Sequence, residues 1–382
     1  MIRNVKAITG SCYLAMLFLG IGGAVVGAAA RNIGLTASQI GLILAIQNVG
    51  FGLAVWLAGA LSDTTSKTRL LLIGSLILGF GFLTFYVSPS FPVNMGVMFF
   101  IGVGMGIFEG ITDALLFDLH EERAAYHINV NHFFVTFGSM LIAFYLIFLE
   151  NQWRIAMVQA GLIILLLAGF FALAYVEQRG GAQESYRTRL RAIASSPLLT
   201  RLFIISVVLV GADVGAMGIM TTYLVEVRGF SQFGSKLALV IFLAGVAAGR
   251  LVIGRFAETQ RIPRMVLTLF GLSTVAFSVL FGLNLGALTY LIAFLAGLTM
   301  SAMLPLILAY AGARYRDMAG TVMGAIKVAF PVGGIITPFL MSIIAGALSL
   351  QAAVLILPLS MALGFALMLP VVGTYEPAAA QA

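Results

Sequence analysis

The segment GALSDTTSKTR, residues 59–69, is a polar turn between two apolar runs, and a related segment appears much later in the chain. A shift of 195 residues places it on GRFAETQRIPR, residues 254–264. The positions that coincide at this shift are Gly59 with Gly254, Asp63 with Glu258, Arg69 with Arg264, His132 with Lys327, and Gly138 with Gly333. One shift that serves two separate regions indicates an internal repeat.

The chain around these turns is too apolar to be a water-soluble protein. Of its 382 residues, 61% are hydrophobic and 9% are charged, and the mean hydropathy is +1.08. So little polar surface could not cover a soluble globule. A membrane-spanning helix needs about 20 apolar residues, and no short alternating segments typical of barrel strands occur. We predict an all-α membrane protein whose twelve spans lie at 7–30, 38–61, 70–88, 94–117, 124–149, 154–176, 201–226, 233–256, 265–284, 287–312, 318–343 and 350–373.

The distribution of basic residues explains the net charge of +7 without nucleic acid. With the N-terminus inside the cell, fifteen Lys and Arg residues fall in cytoplasmic segments and four face outward. Such a bias indicates orientation by the positive-inside rule, so we expect a multi-pass protein of the inner (plasma) membrane with both termini in the cytoplasm. The one cysteine, Cys12, provides neither a disulfide framework nor a thiolate metal site.

A polar segment divides the spans six and six. We expect residues 1–176 and 201–382 to form two six-helix bundles, joined by a cytoplasmic linker over 177–200 with a short amphipathic helix around 186–193. Internally repeated halves are typical of secondary transporters, whose solute site lies between the halves near the bilayer midplane.

The turn GALSDTTSKTR resembles the glycine, acid and basic-turn signature of the major facilitator superfamily, and the weaker copy after the eighth span supports the resemblance over essentially the whole chain. It implies the major facilitator fold with two pseudo-symmetric bundles, and alternating access. In that family the acid helps to latch the cytoplasmic side, although Thr64 stands where a basic residue is usual. The gating residues implied here are Asp63 with Arg123 as its partner, Glu258 in the second copy, and Arg250, which could instead snorkel to the cytoplasm.

Two acids lie inside the fourth span, where a charge costs on the order of 3 kcal/mol. Glu109 and Asp113 are four residues apart and therefore share a helix face. Depth counted from the following turn places His132 level with Glu109, and Asn129 level with Asp113. We predict a proton-coupling site at Glu109 and His132, with Asp113 and Asn129 as solute ligands. The alternative is an ion pair that only joins two helices.

The second half carries its own buried charges. Asp213 and Lys327 lie midway along the seventh and eleventh spans, and a mutual ion pair would relieve both burial penalties. We predict that the pair forms the opposite wall of the solute site, to which Gln47 and Asn48 on the second span also contribute; a purely structural pair is the alternative.

A closer resemblance concerns the solute. The segments GVGMGIFEGITDALL (102–116) and INVNHFFVTFG (128–138) are similar to those of the fucose and glucose or galactose proton symporters. This similarity implies proton-coupled symport of a small polar solute such as a monosaccharide, although residues 11–30 lack the acid that fucose-type members carry there. Arg250 with Lys327 resembles instead the cationic pair of organic-anion carriers, and the Met-rich and Phe-rich interior fits a multidrug/proton antiporter.

Other classes of function lack their motifs in this sequence. There is no evident metal-ligand cluster, no G-x-S-x-G and no phosphate-binding Gly-Lys loop, so we expect neither an enzyme nor a cofactor beyond H⁺ as the coupling ion. The expected partners are a small-molecule solute and the lipid bilayer, and the expected state is monomeric.

Overall fold

The structure, a computed structural model, describes residues 2–35, 37–148, 152–176 and 185–373. These residues are almost entirely helical, and twelve stretches among them are long and apolar enough to cross a membrane. The prediction of an all-α membrane protein with twelve spans is therefore confirmed. In the described part of the chain, extended pairing is confined to one parallel bridge between Ile2 and Ala174.

The first seven helices cover the six predicted N-terminal spans and the linker. They are α1 (Val5–Ile33), α2 (Ala37–Leu61), α3 (Lys67–Thr84), α4 (Phe91–Leu119), α5 (Ala124–Phe148), α6 (Trp153–Leu173) and α7 (Tyr186–Ser195). A 3₁₀ turn, Glu121–Arg123, separates α4 from α5. The short helix α7 confirms the helix predicted around residues 186–193.

Nine further helices follow in the described part of the chain. They are α8 (Pro197–Glu226), α9 (Gln232–Arg255), α10 (Ile262–Gly282), α11 (Leu288–Ser301), α12 (Met303–Arg314), α13 (Ala319–Lys327), α14 (Ala329–Ala347), α15 (Leu350–Val354) and α16 (Ile356–Gly373). The last three predicted spans are each built from two of these helices. The break in the eleventh span falls immediately after Lys327.

Local sequence explains where α8 and α9 begin. The Ser196 side chain accepts a hydrogen bond from the Leu199 amide at 3.3 Å, and Pro197 occupies the first helical position. Ser231 caps α9 in the same way, accepting from the Gly234 amide at 3.0 Å. Serine caps and a proline in the first turn satisfy or avoid the free amides of a helix N-terminus.

Backbone contacts divide the chain into two compact units. The first comprises Met1–Arg191 with Gly312–Pro331, and the second comprises Ala192–Ala311 with Val332–Ala382. In the first unit α2 packs on α4, α1 on α5, α3 on α6, and α13 on both α2 and α4. In the second, α9 packs on α11, and α10 on α16 and α11. The division into bundles 1–176 and 201–382 stays a prediction, and the structure adds that α13 belongs to the first unit by its contacts.

Glycines on α4 allow the close approach that positions the acids. A Cβ added at Gly102 would lie 2.0 Å from the carbonyl oxygen of Gln47 on α2, and one added at Gly106 would lie 2.5 Å from that of Phe51. A side chain at either position would therefore push α2 away from α4. Because α2 packs against this stripe, the face of α4 that carries Glu109 and Asp113 is left for α5 and α13.

Candidate functional site

Four ionisable side chains from three helices of the first unit meet in a buried cluster, which we call the ion cluster. It consists of Glu109 and Asp113 on α4, His132 on α5 and Lys327 at the end of α13. Their exposed fractions are 2%, 0%, 3% and 0%, respectively. Charges removed from water to this extent require partners inside the protein, so the contacts within the ion cluster decide its chemistry.

Three oxygen atoms surround the ammonium group of Lys327. Its Nζ lies 2.6 Å from Asp113 Oδ2 and 2.9 Å from Glu109 Oε1, and it also donates a hydrogen bond to the backbone carbonyl of Glu109. The contact with Glu109 Oε1 is an ion pair that is poorly aligned for a hydrogen bond. Lys327 therefore forms ion pairs with both acids of α4.

Asp113 is the best-satisfied member of the ion cluster. Besides Lys327, its Oδ2 lies 2.9 Å from His132 Nε2, and its Oδ1 accepts from Asn131 Nδ2 at 2.7 Å. Asn131 also donates to Thr112 Oγ1 at 2.9 Å. The contact between His132 and Asp113 requires the proton of a neutral imidazole to be on Nε2.

Glu109 has fewer partners than Asp113. Its Oε1 lies 3.7 Å from His132 Nε2, too long for a hydrogen bond but within ion-pair distance. With both acids and Lys327 charged and His132 neutral, the ion cluster carries one net negative charge. One added proton would bring its net charge to zero.

The same side chains are the residues that could hold a metal ion. Ligand atoms of Glu109, Asp113 and His132 lie within 4.8 Å of one another, so the expectation that the sequence contains no metal-ligand cluster was too simple. The ammonium of Lys327, however, is 2.6–2.9 Å from both carboxylates and already supplies the positive charge that a cation would bring. A metal ion would have to compete with Lys327 for the same carboxylate oxygens.

One expected pairing within this region is wrong in detail. Asn129 was expected beside Asp113, but its amide donates to the carbonyl of Ala125 at 2.8 Å, and Asn131 is the amide that contacts Asp113. Sequence reasoning missed Asn131. A second buried amide on an apolar span was the signal that could have identified it.

The expected ion pair between Lys327 and Asp213 is also wrong. Lys327 is satisfied by α4 because α13 packs on α4, and Asp213 lies half-buried on α8 in the second unit. The charge that acts on Asp213 there is Arg250 of α9, which is itself half-buried.

The two amides on α2 differ from each other in environment. Gln47 is buried and donates from Nε2 to the carbonyl of Gly22 at 3.0 Å and towards the sulfur of Met105 at 3.2 Å. Asn48 is exposed and donates to the carbonyl of Leu44 at 2.9 Å. Neither contacts the ion cluster in the described part of the chain.

The turn that follows α2 forms a second buried network, which we call the Asp63 network. The carboxylate of Asp63, 9% exposed, accepts from the amides of Gly320 and Thr321 at 2.9 and 2.8 Å, and from the Thr321 hydroxyl at 2.5 Å. These donors lie at the start of α13, where helix amides and the helix dipole favour an anion. Asp63 therefore joins α2 to α13.

Arg189 of α7 completes the Asp63 network. Its Nη1 lies 2.9 Å from Asp63 Oδ2 and also donates to the carbonyl of Ala60 at 3.1 Å, and its side chain is 3% exposed. The expectation that Arg123 pairs with Asp63 is wrong, because Arg123 lies exposed in the 3₁₀ turn before α5. The amphipathic character of α7 was the available sign that this helix packs on the bundle.

Glu258, the counterpart of Asp63 in the repeat, lies in a different environment. It is exposed and forms an ion pair with Arg261 of its own turn, Oε2 to Nε, at 3.0 Å. Exposed pairs of this kind contribute little to stability. The repeat therefore holds in sequence, but the two acids differ in burial.

The chain matches one protein family in sequence and several solved structures in fold. The sequence profile of the Major Facilitator Superfamily matches residues 8–329. Among curated proteins, none matches the chain significantly. Similar solved structures include the fucose:proton symporter FucP of E. coli, with a TM-score of 0.77 at 18% identity, covering 95% of this chain and 98% of that one.

Two further structures are similar over comparable lengths. The human organic anion transporter MFSD10 (TETRAN) gives a TM-score of 0.81 at 16% identity, covering 96% of this chain and all of that one. The proton:xylose symporter XylE gives 0.71 at 13% identity, covering 96% and 95%. At such low identities these similarities show a shared fold.

Proposed function

Because the chain belongs to the major facilitator superfamily, we propose that it is a secondary transporter that moves a small polar solute together with H⁺. The proposed mechanism is alternating access, with residues 1–176 and 201–382 rocking against each other. The preferred solute is a monosaccharide. The protein would act in the inner membrane with both termini in the cytoplasm, as a monomer.

The observation that carries the proposal is the ion cluster, because its composition allows the uptake of one proton. Two carboxylates face one ammonium and one imidazole, all between 0% and 3% exposed. A net charge resists transfer into a dry cavity, so the unprotonated ion cluster opposes occlusion and the protonated one permits it. Protonation would thus be linked to the conformational change.

Within the ion cluster, Glu109 is the proposed proton carrier and His132 its partner. Asp113 is held by Lys327, His132 and Asn131 at 2.6–2.9 Å, so its oxygens are occupied by donors that favour the ionised form. Glu109 Oε1 has only the poorly aligned contact with Lys327 and the 3.7 Å approach of His132. Glu109 can therefore gain a proton at a smaller loss of hydrogen bonds.

The proposed solute ligand next to this group is Asn129. Its side chain is fully buried, and its carbonyl oxygen Oδ1 has no hydrogen-bond partner in the described part of the chain. Such an oxygen is costly to leave unpaired, and a sugar hydroxyl would supply the missing donor. Asp113, Gln47 and Asn48 remain candidates on the first unit, and Asp213 on the second.

The organic-anion alternative is less well supported by the contacts. It requires Lys327 to hold a substrate carboxylate, with Arg250 as the second cation. Lys327 is already paired with two protein carboxylates, so an anionic solute would first have to displace Glu109. A neutral, hydroxyl-bearing solute does not face this competition.

The Asp63 network is the proposed gate on the cytoplasmic side. It joins α2, α7 and α13 through contacts that must break if these helices separate. Glu258 and Arg250 would have the corresponding positions in the second unit, with Glu258 contributing less because it is exposed.

Uptake into proteoliposomes under an imposed pH gradient tests the proposal. A panel of labelled hexoses, pentoses, carboxylates and a fluorescent drug dye distinguishes the three substrate classes. Hexose accumulation driven by inward H⁺ supports symport; carboxylate counterflow that is insensitive to a protonophore, or extrusion of the dye, contradicts it.

The matching variant is Glu109→Gln, which keeps the shape of the side chain and removes its charge. We expect it to lose proton-driven accumulation and to retain counterflow of the solute. The control is Glu226→Gln, at an exposed position at the end of α8, which should behave as wild type. Proton-dependent accumulation by Glu109→Gln would show that another group carries the proton.

A further inference from the structure

A second group of titratable side chains lies in the first unit, where α1 packs on the hairpin of α4 and α5. The hydroxyl of Tyr13 on α1 lies 2.5 Å from His127 Nδ1 on α5. The ring of His127 stacks on that of His120 at the end of α4, with centroids 3.6 Å apart and planes inclined by 16°. Thr9 Oγ1 lies 2.7 Å from His120 Nε2.

Three further titratable or charged side chains lie near this group. Arg123 is the permanently charged neighbour of His127, and Tyr126 and Cys12 are the titratable, uncharged neighbours of Tyr13. Two imidazolium rings stacked this closely would repel each other, so the pair can hold at most one proton. Burial lowers the pKa of His120, which keeps that ring neutral near pH 7.

The group reaches from the α4–α5 turn towards the ion cluster. His120 and His127 are half-buried, so water can reach them at the turn. Asn131 follows His127 by one helical turn on the same face of α5, a separation of about 5–6 Å between Cβ atoms, and it donates to Asp113. Cys12, the neighbour of Tyr13, lies within electrostatic range of Asp113. The group therefore lies one helical turn along α5 from the ion cluster, and the path requires water to bridge the two.

We propose that Tyr13 and His127 form a proton path between the ion cluster and the α4–α5 turn, which is predicted to be cytoplasmic. The path rests on the proposed function, because it serves the proton held by Glu109 and His132. His120 is a positioning residue that fixes the ring of His127 by stacking, with Thr9 fixing His120.

The number of protons is balanced in each step of the transfer. A proton from the ion cluster arrives through water at the Tyr13 oxygen while the hydroxyl proton of Tyr13 passes to His127 Nδ1. The resulting imidazolium releases the proton on Nε2 to water at the turn. Tyr13 and His127 are then both neutral, and rotation of the tyrosine hydroxyl with exchange of the imidazole proton restores the starting tautomer.

The three histidines of this chain make the test direct. In protein labelled with ¹³C-histidine, time-resolved infrared spectroscopy after a pH jump would follow the protonation of His132, with its band assigned from a His132→Gln sample. Tyr13→Phe removes only the hydroxyl and retains the ring that stacks on Phe134 at 5.3 Å. We expect the protonation rate of His132 to fall at least about tenfold in this variant, since a hydrogen-bonded step is replaced by a gap.

A second variant and a control complete the design. His127→Ala should slow the rate similarly, and added imidazole should restore it in His127→Ala but not in Tyr13→Phe. Tyr145→Phe is the matched control, because it removes a phenol hydroxyl bonded to Gln159 at 2.5 Å, away from the path, and it should leave the rate unchanged.

The outcomes separate this inference from the proposed function. If His132 titrates but its rate is the same in Tyr13→Phe as in wild type, the proton path is wrong and the proton-coupling proposal stands. If neither His132 nor the Glu109 carboxyl of the wild type changes its protonation between roughly pH 5 and 9, the proposed function fails and the path fails with it.

Discussion

Replacement of Lys327 by methionine tests the assignment of its partners. Met has a similar length and no charge, so Lys327→Met leaves Asp113 and Glu109 buried without the ammonium that lies 2.6 and 2.9 Å from them. Removing one member of a buried ion pair costs about 3–5 kcal/mol, because the other charge remains unpaired. We expect a loss of stability in this range.

A second substitution decides which acid is the partner. Asp113→Asn alone should cost a similar amount, and independent effects would then add to about 6–10 kcal/mol. Because the two side chains are in contact, the double variant should cost about as much as either single one. Asp213→Asn is the control, since Asp213 lies in the second unit; combined with Lys327→Met it should be additive within about 0.5 kcal/mol.

The assay is the free energy of unfolding in mixed dodecylmaltoside and sodium dodecyl sulfate micelles, followed by circular dichroism at fixed pH 7.5. Coupling between Lys327 and Asp113 with additivity at Asp213 supports the ion cluster as described. Rescue of Lys327→Met by Asp213→Asn, with additivity at Asp113, would refute it and restore the pairing expected from the sequence.

Three further predictions concern packing, the gate and pH. Gly138→Ala should destabilise the protein by about 1–3 kcal/mol in the same unfolding assay, because the added Cβ would lie 2.0 Å from a backbone carbonyl oxygen of α1. Gly96→Ala is the control: its added Cβ would have no atom within 4 Å, so the substitution should be neutral or slightly stabilising. Asp63→Asn should cost about 3–5 kcal/mol by leaving Arg189 buried without its counter-charge, and limited trypsin digestion should then cleave at residues 185–195 faster than in wild type. The free energy of unfolding should fall as the pH drops below about 6.5, because burial lowers the pKa of His120 in the folded state and the unfolded chain therefore binds the extra proton. In His120→Gln, the free energy of unfolding measured between pH 8 and 5 should lose the part of its pH dependence that is due to His120. An unchanged pH dependence would argue against this role of His120.

The elements of this fold could be predicted from the sequence because they depend on one local property. A span is an apolar run of sufficient length, and the twelve described spans lie close to the predicted ones. An apolar run does not indicate which side of its helix faces the protein interior. A helix such as α16 is apolar on nearly all sides, so its rotation and neighbours depend on the shapes of the packed side chains.

The candidate site shows the same limit on a smaller scale. Counting residues outward from the α4–α5 turn correctly predicts that His132 lies near Glu109 and Asp113. This count takes a position near residue 121 as the centre of the turn. The 3₁₀ segment Glu121–Arg123 places the centre one to two residues later, and Asp113 therefore faces Asn131 and His132 instead of Asn129. A shift of this size lies within the uncertainty of helix ends that sequence patterns allow.

The partners of Lys327 and Asp63 were beyond sequence reasoning for a different reason. Both depend on α13, whose contacts with α2 and α4 come from residues nearly 200 or more positions apart in the chain. The cost of burying a charge predicts that a partner exists. It does not say which of several distant acids or bases the packing will bring near.

The buried position of Cys12 has a practical consequence. The thiol is the only one in the sequence and is 0% exposed within α1. Maleimide and nitroxide reagents that act from water should leave it unmodified, so the natural chain is already a background for spin labelling. Cysteines introduced in pairs at exposed helix ends would then report distances during a transport cycle, with no need to remove a native sulfhydryl beforehand.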